Sequence, residues 1–432
     1  MSDKSLHYVS ERMIPAEPAP TFTKGPAAWM RENLFGSWRD TALTIIFGLI
    51  VLYGLSALIP WMFIDSVFFA DSLKHCWEIS GAGHGGACFA VVTSRFNQLL
   101  FGFYPPELYW RPILAFVLMF VAFAPVLHDN LPRKMLWFSL IYPLLAYWLI
   151  WGGSIWGPIA FLATFAVIFF VFRALAQVGQ MVALVGTIAA AVIWYLFLKD
   201  PAAAFLATII PISLEFVESS KIGGFTLTFI IGVTGIVASL PLGIVLALGR
   251  KSDMPIVKML CVGFIEFIRG VPLITLLFVA STLLNYFLPP GTTFDLILRV
   301  LIMVTLFSAA YLAEIVRGGL AALPRGQYEA ADALGLTYWQ STRLIILPQA
   351  LKVSIPSIVG SFIGLFKDTT LVSIVALLDP IGIMNPIRSS PEWNGIVWEL
   401  PIFIGLVFFI FCFTMSRYSM YFERKLDTGH RN

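Results

Sequence analysis

Four consecutive polar residues interrupt an apolar run in the last third of the chain: Lys367, Asp368, Thr369 and Thr370. Charges inside a membrane span are costly, so such residues are candidates for function. The Lys367 ammonium could pair with a carboxylate and the Asp368 carboxylate with an ammonium, while the hydroxyls could add hydrogen bonds. This set suits a free amino acid, although at most two or three consecutive residues of a helix can face one cavity. The alternative is a Lys–Asp pair that satisfies itself and packs a dimer.

Two other places carry charge inside apolar runs. Glu266 and Arg269 have the i,i+3 spacing of one helix face, and Gly270 and Pro272 directly afterwards predict a bend in the helix. This pattern favours a structural ion pair near a kink over direct ligand contact. Glu314 also has a basic residue at i+3, which again favours an ion pair, and it stays a second candidate for substrate binding.

The elements that must position these residues are membrane spans. Hydrophobic residues make up 59% of the 432 positions and charged residues 12%, against about 25% charged in soluble domains. Runs without charge recur at the length of about 20 residues that crosses a bilayer as a helix. We predict an all-α, polytopic membrane protein with about ten spans. They cover residues 41–64, 111–127, 135–151, 155–172, 177–198, 225–249, 259–288, 296–316, 354–378 and 400–418. The third and fourth spans could instead form one hairpin.

The distribution of basic residues predicts the orientation. With the N-terminus in the cytoplasm, the predicted outer segments hold only Lys74, Arg95, Arg111, Lys199, Lys221, Arg299 and Arg388. Most of the other Lys and Arg residues then lie inside, as the positive-inside rule requires. Both tails, 1–40 and 421–432, and the loop 317–352 are therefore expected in the cytoplasm, and the loop 65–110 outside. The basic residues form no stripe, which argues against nucleic-acid binding.

The cytoplasmic loop 317–352 contains a spaced motif: Glu329, Ala330 and Ala331, then Gly335 after three residues, then Ile345-x-Leu347-Pro348 after nine more. The small residues favour a helix, and the charges of Glu329 and Asp332 suit its first turn. Gly335 predicts the end of that helix.

Thr337 can cap a second short helix that runs through Arg343 towards Pro348. We predict a helix-turn-helix on the membrane face, with its small residues outward, that fits a groove on another protein. An ordinary amphipathic loop is the alternative.

This motif resembles the EAA signature, EAA-x3-G-x9-I-x-L-P, of permease subunits in ABC importers. The flanking sequences AYLAEIVRGGL and GLFKDTTLVSIV resemble the polar amino-acid branch of these permeases, as do E-x-x-R-G-x-P at Glu266–Pro272 and F-K-D-T-S-L, with Thr370 in place of Ser. The resemblance runs from about residue 223 to the C-terminus. Segments of the N-terminal half, such as Phe101-Gly-Phe-Tyr-Pro105 and Trp110-Arg-Pro112, resemble the larger permease of general L-amino-acid systems of Gram-negative bacteria.

The resemblance implies a type I ABC importer permease core at 223–420, in the bacterial inner membrane, after an N-terminal membrane region at 41–222. It implies coupling through Glu329, Ala330, Ala331 and Gly335 to a dimer of ABC ATPases that holds ATP-Mg. The other implied partners are a second permease, expected to be a different chain, and a periplasmic amino-acid-binding protein. This chain itself shows no P-loop motif and is expected to bind no cofactor.

Two other classes of protein are weighed against this interpretation. A secondary transporter driven by an ion gradient would explain charges and broken helices in the membrane, but not the loop 317–352. A membrane-embedded enzyme finds no support, because the five histidines form no H-E-x-x-H motif and the chain has no nucleophile elbow.

Cys76 and Cys88 lie in the outer loop 65–110 among several glycines. They could form a disulfide, since that side of the membrane is oxidising, or remain two free thiols. A zinc site with His75 and His84 is a further, weaker alternative. We expect no metal.

Overall fold

The computed structural model describes residues 25–81, 85–128, 130–283, 286 and 295–426. The predicted tails 1–40 and 421–432 thus fall partly outside the described residues. The helices of the N-terminal half are α1 (Pro26–Leu34), α2 (Trp38–Ile59), α3 (Leu73–Ile79), α4 (Ala90–Ser94), α5 (Phe96–Phe101), α6 (Trp110–Leu127), α7 (Leu136–Trp151), α8 (Trp156–Leu175), α9 (Gln180–Ile193) and α10 (Lys199–Ile209). Those of the C-terminal half are α11 (Gly224–Arg250), α12 (Pro255–Gly270), α13 (Leu273–Phe278), α14 (Leu296–Ala322), α15 (Arg325–Ala333), α16 (Tyr338–Ser341), α17 (Leu347–Asp368), α18 (Met384–Arg388) and α19 (Glu399–Leu426).

Shorter regular segments connect or extend these helices. π-Helical turns span Pro60–Ile64, Trp194–Leu198, Val279–Leu283 and Thr342–Ile346, and 3-10 turns span Pro106–Leu108, Arg133–Met135, Ser219–Lys221 and Thr369–Val375. Two strands of two residues, β1 (Gly153–Ser154) and β2 (Ser213–Leu214), pair antiparallel with Gly153 opposite Leu214. The prediction of an all-α membrane protein is confirmed.

Two compact units share the chain. The first contains Met1–Val67 and Trp77–Ala87, and its described part holds α1 and α2. Ser37 caps α2 by accepting the Asp40 backbone N–H at 3.2 Å, and the span that α2 begins buries none of its apolar stretch, as expected for a helix that faces lipid. The second unit contains Phe68–Cys76 and Cys88–Asn432. The predicted division into regions 41–222 and 223–420 stays a prediction.

Each predicted span corresponds, over its described residues, to apolar helical structure. Residues 284, 285, 287 and 288 of the predicted seventh span lie outside the described part of the chain. Within the described residues, nine helical segments are long and apolar enough to cross a membrane, and α12 with the α13 segment makes a tenth if the pair counts as one. The third and fourth spans are the separate helices α7 and α8, because Gly152 and Gly153 adopt positive φ values of 75° and 80° between them. The predicted end of the fifth span at residue 198 is wrong, since the helix continues to Ile209. Lys199 pairs with Asp200 at 3.1 Å, so this pair of charges does not end the helix.

The seventh span is sharply bent. The α12 segment and the segment Leu273–Leu283 meet at an angle of 102°. Pro272 has no N–H to donate, and the residue before a proline avoids the helical region; Val271 accordingly adopts φ −112° and ψ 132°. The bend predicted from Gly270 and Pro272 is confirmed.

The core of the second unit is built where α11, α14 and α17 pack together. Leu227, Ile231, Val300, Val304 and Leu365 form part of one buried cluster. Small residues let these helices approach closely, as is usual between membrane helices. A Cβ at Gly243 of α11 would lie 2.8 Å from the Leu312 Cβ, and one at Gly319 of α14 would lie 2.5 Å from the Ala350 carbonyl oxygen.

Phe68–Cys76 and residues 88–104 pack on the C-terminal half. Cys76 and Cys88 form a disulfide with their Cα atoms 5.9 Å apart, which decides between the alternatives left open by the sequence. The Leu73 N–H donates to the Glu392 carbonyl at 2.9 Å, and Arg95 pairs with the Glu392 carboxylate at 3.2 Å. No group of three potential metal ligands occurs among the described residues, and His84 lies outside them.

Candidate functional site

The Lys367–Thr370 segment lies at the end of α17, where the chain changes from α-helix to a 3-10 turn. The hydroxyl of Thr369 donates to the Phe366 carbonyl at 2.8 Å, and that of Thr370 donates to the Lys367 carbonyl at the same distance. Such bonds to carbonyls three residues back compete with the regular helix. They account locally for the change of geometry, which the sequence reasoning did not predict.

The four residues are not equally accessible. Lys367 is exposed, Asp368 and Thr370 are partly buried, and Thr369 is completely buried. Thr369 therefore packs inside the protein in this conformation and does not face a ligand path. No ion pair joins Lys367 to Asp368, both of which belong to the described part of the chain. The two charges remain available to a zwitterion.

An open cavity of about 350 Å³ lies just beyond this segment. Its lining is mostly apolar, with two polar side chains, and comprises Ser373, Ile374, Ala376, Leu377, Leu378, Ile381, Gly382, Met384, Asn385 and Pro386. Ala376, at the end of the 3-10 turn, has φ +62° and is the one non-glycine residue with positive φ among the described residues. The volume falls in the range of small-molecule pockets, so the cavity can accommodate an amino acid. Lys367 and Asp368 are not among its lining residues.

Asp379 holds two lining residues of this cavity, Ile381 and Gly382, through hydrogen bonds. Its carboxylate is completely buried and accepts backbone N–H groups from Gly382 at 2.9 Å and Ile381 at 3.3 Å. Burial raises the pKa of the Asp379 carboxyl to about 6, although these hydrogen bonds lower it. The sequence reasoning missed this residue, although Asp-Pro followed by glycine is a recognisable turn signal.

An arginine–glutamate cluster, formed by Arg250, Glu266, Arg269, Glu314 and Arg317, joins α11, α12 and α14. Arg250 Nη1 donates to Glu266 Oε1 at 2.7 Å and lies 2.8 Å from Glu314 Oε1. Glu314 Oε2 also lies 3.7 Å from Arg269 and 2.9 Å from Arg317. One carboxylate thus contacts three guanidinium groups.

The cluster corrects one prediction and confirms another. Glu266 pairs with Arg250 and Arg269 pairs with Glu314, so the predicted pair between Glu266 and Arg269 is wrong. The tertiary packing brings α11 and α14 against α12, and their charges offer closer partners than the neighbour one turn away. The predicted pair of Glu314 with Arg317 is confirmed. In this arrangement Glu314 serves the packing of helices.

The EAA motif begins in α15, and the turn that follows it is closed as predicted. Gly335 has φ +68°, its N–H donates to the Asp332 carbonyl at 2.9 Å, and the Leu336 N–H donates to the Ala331 carbonyl at 3.2 Å. This pattern is a Schellman motif, which favours glycine at the left-handed position.

Three details of this loop differ from the prediction. The helix begins at Arg325, directly after Pro324, so Glu329 lies in its second turn and not in its first. Ala331 is completely buried, so only part of the small-residue face points outward. Thr337 does cap the second helix, in a capping box with Gln340, but that helix continues through a π-turn into α17.

The loop nevertheless presents an exposed surface, which we name the coupling surface after the role expected from the EAA motif; it comprises Glu329, Ala330, Leu334, Gly335, Trp339 and Leu344. All six residues are exposed. The large apolar members are 74% (Leu334), 70% (Trp339) and 66% (Leu344) exposed, and large exposed apolar side chains gathered in one loop are typical of an interaction site. The turn at Gly335 lies between the two helices that carry them.

Comparison with known proteins defines the class. Residues 239–428 match the family described as binding-protein-dependent transport system inner membrane component. The chain is 57% identical, over the whole of both proteins, to the glutamate/glutamine/aspartate/asparagine transport system permease protein BztC of Rhodobacter capsulatus. The chain therefore belongs to the family of amino-acid ABC transporter permeases, which are transport subunits.

A second relative agrees with this assignment. The inner membrane amino-acid ABC transporter permease protein YhdY of Escherichia coli is 39% identical over 96% of this chain and 97% of its own length. A solved structure described as an amino acid ABC transporter with histidines is 29% identical, with a TM-score of 0.42, over 46% of this chain and 90% of that one.

Proposed function

We propose that this chain is the permease subunit through which amino acids pass from the periplasm to the cytoplasm, driven by a separate ATPase. The proposed assembly contains a dimer of ABC ATPases with ATP-Mg, a second and different permease, and a periplasmic amino-acid-binding protein. The chain would lie in the bacterial inner membrane with both termini in the cytoplasm. The coupling surface is the observation that carries the proposal, because secondary transport gives no use for an exposed, capped helix-turn-helix in this loop.

The coupling surface enters a groove of the ATPase in this proposal. The small side chain of Ala330 lets the ATPase approach closely, while Leu334 and Trp339 supply apolar area that the free loop leaves exposed. Closure of the ATPases on ATP then moves α15. The permease responds by changing which side of the membrane its path opens to.

Lys367 and Asp368 form the proposed substrate contact. The lysine binds a carboxylate of the amino acid and the aspartate binds its ammonium, with Thr370 beside them. The lining of the cavity begins at Ser373, further along the same chain segment. The similarity to BztC favours glutamate, glutamine, aspartate and asparagine as substrates. Lys367 can pair with a carboxylate and can also donate to an amide oxygen, so acidic side chains and their amides are both compatible with it.

Reconstitution into proteoliposomes tests the proposal. Labelled glutamate and the binding protein are supplied outside, and ATP-Mg with the ATPase inside. We expect accumulation that needs ATP and persists when ionophores remove the proton and sodium gradients. Accumulation that follows an ion gradient without ATP contradicts the proposal and favours a secondary transporter.

A further inference from the structure

Tyr328 ties the helix that carries the EAA motif to a distant part of the chain. Its hydroxyl accepts a hydrogen bond from the Lys251 ammonium at 3.0 Å and donates one to the Leu320 carbonyl at 3.2 Å. The same ammonium lies 4.5 Å from the centre of the tyrosine ring. A charged hydrogen bond and a cation–π contact thus act on one side chain of α15.

Lys251 is the residue next to the arginine–glutamate cluster. It caps α11 directly after Arg250, and its own N–H donates to the Leu248 carbonyl at 3.1 Å, so its backbone belongs to the end of that helix. Arg250 holds Glu266 of α12 and Glu314 of α14. Lys251, which holds Tyr328, is therefore one residue along the backbone from Arg250, where α11, α12 and α14 are joined.

A second polar contact of α15 stays within the loop that carries it. Gln349 donates to the Gln327 side chain at 3.0 Å, but Gln349 lies at the start of α17, which continues from the same loop. That contact ties the loop to itself. The Lys251–Tyr328 bond joins residues 77 positions apart and connects the loop to α11.

We propose that Tyr328 and Lys251 are the mechanical link that carries movement of the coupling surface to the arginine–glutamate cluster. The proposal rests on the function proposed above and adds a path for its coupling. Both are positioning residues: they contact neither the substrate nor the ATPase surface defined above. The ring of Tyr328 also packs against the apolar cluster that contains Ala247, Ile265 and Val316. Loss of the hydroxyl therefore keeps the helices in contact and removes the polar link between α15 and the end of α11.

The test measures transport and ATP hydrolysis together in the reconstituted assembly. Tyr328→Phe removes both hydrogen bonds and keeps the ring, and Lys251→Met removes the charge and keeps the apolar stem. We expect each variant to hydrolyse ATP within about twofold of the wild-type rate. The amino acid taken up per ATP should fall by about fivefold or more, the effect of losing one charged hydrogen bond. The loss in the double variant should be smaller than the two single losses added together, because both single variants already lack the Lys251–Tyr328 hydrogen bond.

Tyr142→Phe is the matched control. Tyr142 also donates its hydroxyl to a backbone carbonyl, that of Ala115 at 2.8 Å, but between α7 and α6 of the N-terminal half. We expect its uptake per ATP to equal the wild-type value.

Three results would overturn the link. The first is a wild-type ratio of uptake to hydrolysis in both Tyr328→Phe and Lys251→Met. The second is a lower amount of assembled protein at an unchanged ratio, which assigns these residues a structural role only. The third is additive losses in the double variant, which make the two residues independent. A wild-type assembly without ATP-dependent uptake instead refutes the proposed function itself.

Discussion

Gly335 offers a sharp test of the coupling surface, because its substitution by alanine changes backbone energy and adds no clash. Its φ is +68°, and a Cβ there would meet no atom within 4 Å. The left-handed conformation costs a residue with a Cβ about 1 to 2 kcal/mol. The whole effect of Gly335→Ala therefore falls on the turn between α15 and α16.

The cost should appear as weaker binding of the ATPase. An unbound loop can relieve the strain by giving up the Schellman hydrogen bonds, whereas a docked loop must keep its shape. A penalty of about 1 to 2 kcal/mol raises the dissociation constant of the ATPase by about 5-fold to 30-fold. Uptake should be low at limiting ATPase and recover when ATPase is added in excess. Gly335→Asn should weaken ATPase binding less than Gly335→Ala, since asparagine tolerates this conformation.

Gly326→Ala is the control within the same helix. Gly326 lies in the first turn of α15, also has open space around it, and does not have positive φ. Alanine there should leave ATPase binding unchanged or slightly tighter, because it favours the helix. Equal affinities for the two alanine variants would refute the role given to the Gly335 turn.

Three further substitutions test other parts of the structure. Asp368→Asn should lower uptake by about tenfold or more, the cost of one charged contact, while assembly and basal ATP hydrolysis stay unchanged; normal uptake would remove Asp368 from the substrate site. Gly319→Ala places a Cβ 2.1 Å from the Ser354 Oγ and 2.5 Å from the Ala350 carbonyl oxygen. Thermal unfolding in detergent should therefore show a free energy of unfolding that is lower by about 1 to 3 kcal/mol. Gly318→Ala, which has open space around its Cβ, should leave the free energy of unfolding unchanged. The pKa of Asp379 is raised to about 6 from 3.8, so the folded chain binds this proton more tightly than the unfolded chain. The free energy of unfolding should therefore rise by about 1 kcal/mol as the pH falls from 7.5 to 5, and Asp379→Asn should abolish that rise. A wild-type free energy of unfolding that falls over this range would contradict the raised pKa of Asp379.

The sequence could predict features that depend on neighbours along the chain. The bend after Gly270 follows from the missing N–H of Pro272, and the turn at Gly335 follows from the freedom of glycine. The spans follow from runs of apolar residues long enough for a bilayer. Each of these needs only a short stretch of sequence, and each is found where it was predicted, apart from the end of the fifth span.

Features that depend on packing between distant segments could not be predicted in this way. The partner of Glu266 is Arg250 of another helix, and only the approach of α11 to α12 brings them within 2.7 Å. The burial of Ala331 and of Thr369 depends likewise on which side of each helix meets the core. The helix start at Arg325 was predictable, since Pro324 precedes it. The predicted first turn was placed at Glu329 and Asp332 because of their charges, and that position is too late in the chain.

Charged residues within the spans of the C-terminal half divide into two kinds according to whether the protein satisfies them. The arginine–glutamate cluster pairs every one of its five members within 4 Å, so these charges already have partners and a ligand would have to compete with them. Lys367 and Asp368 take part in no such ion pair among the described residues, although they lie side by side at the end of α17. A charge that the fold leaves unpaired in a costly place needs another reason to be there. A substrate that brings both missing partners, a carboxylate and an ammonium, supplies that reason.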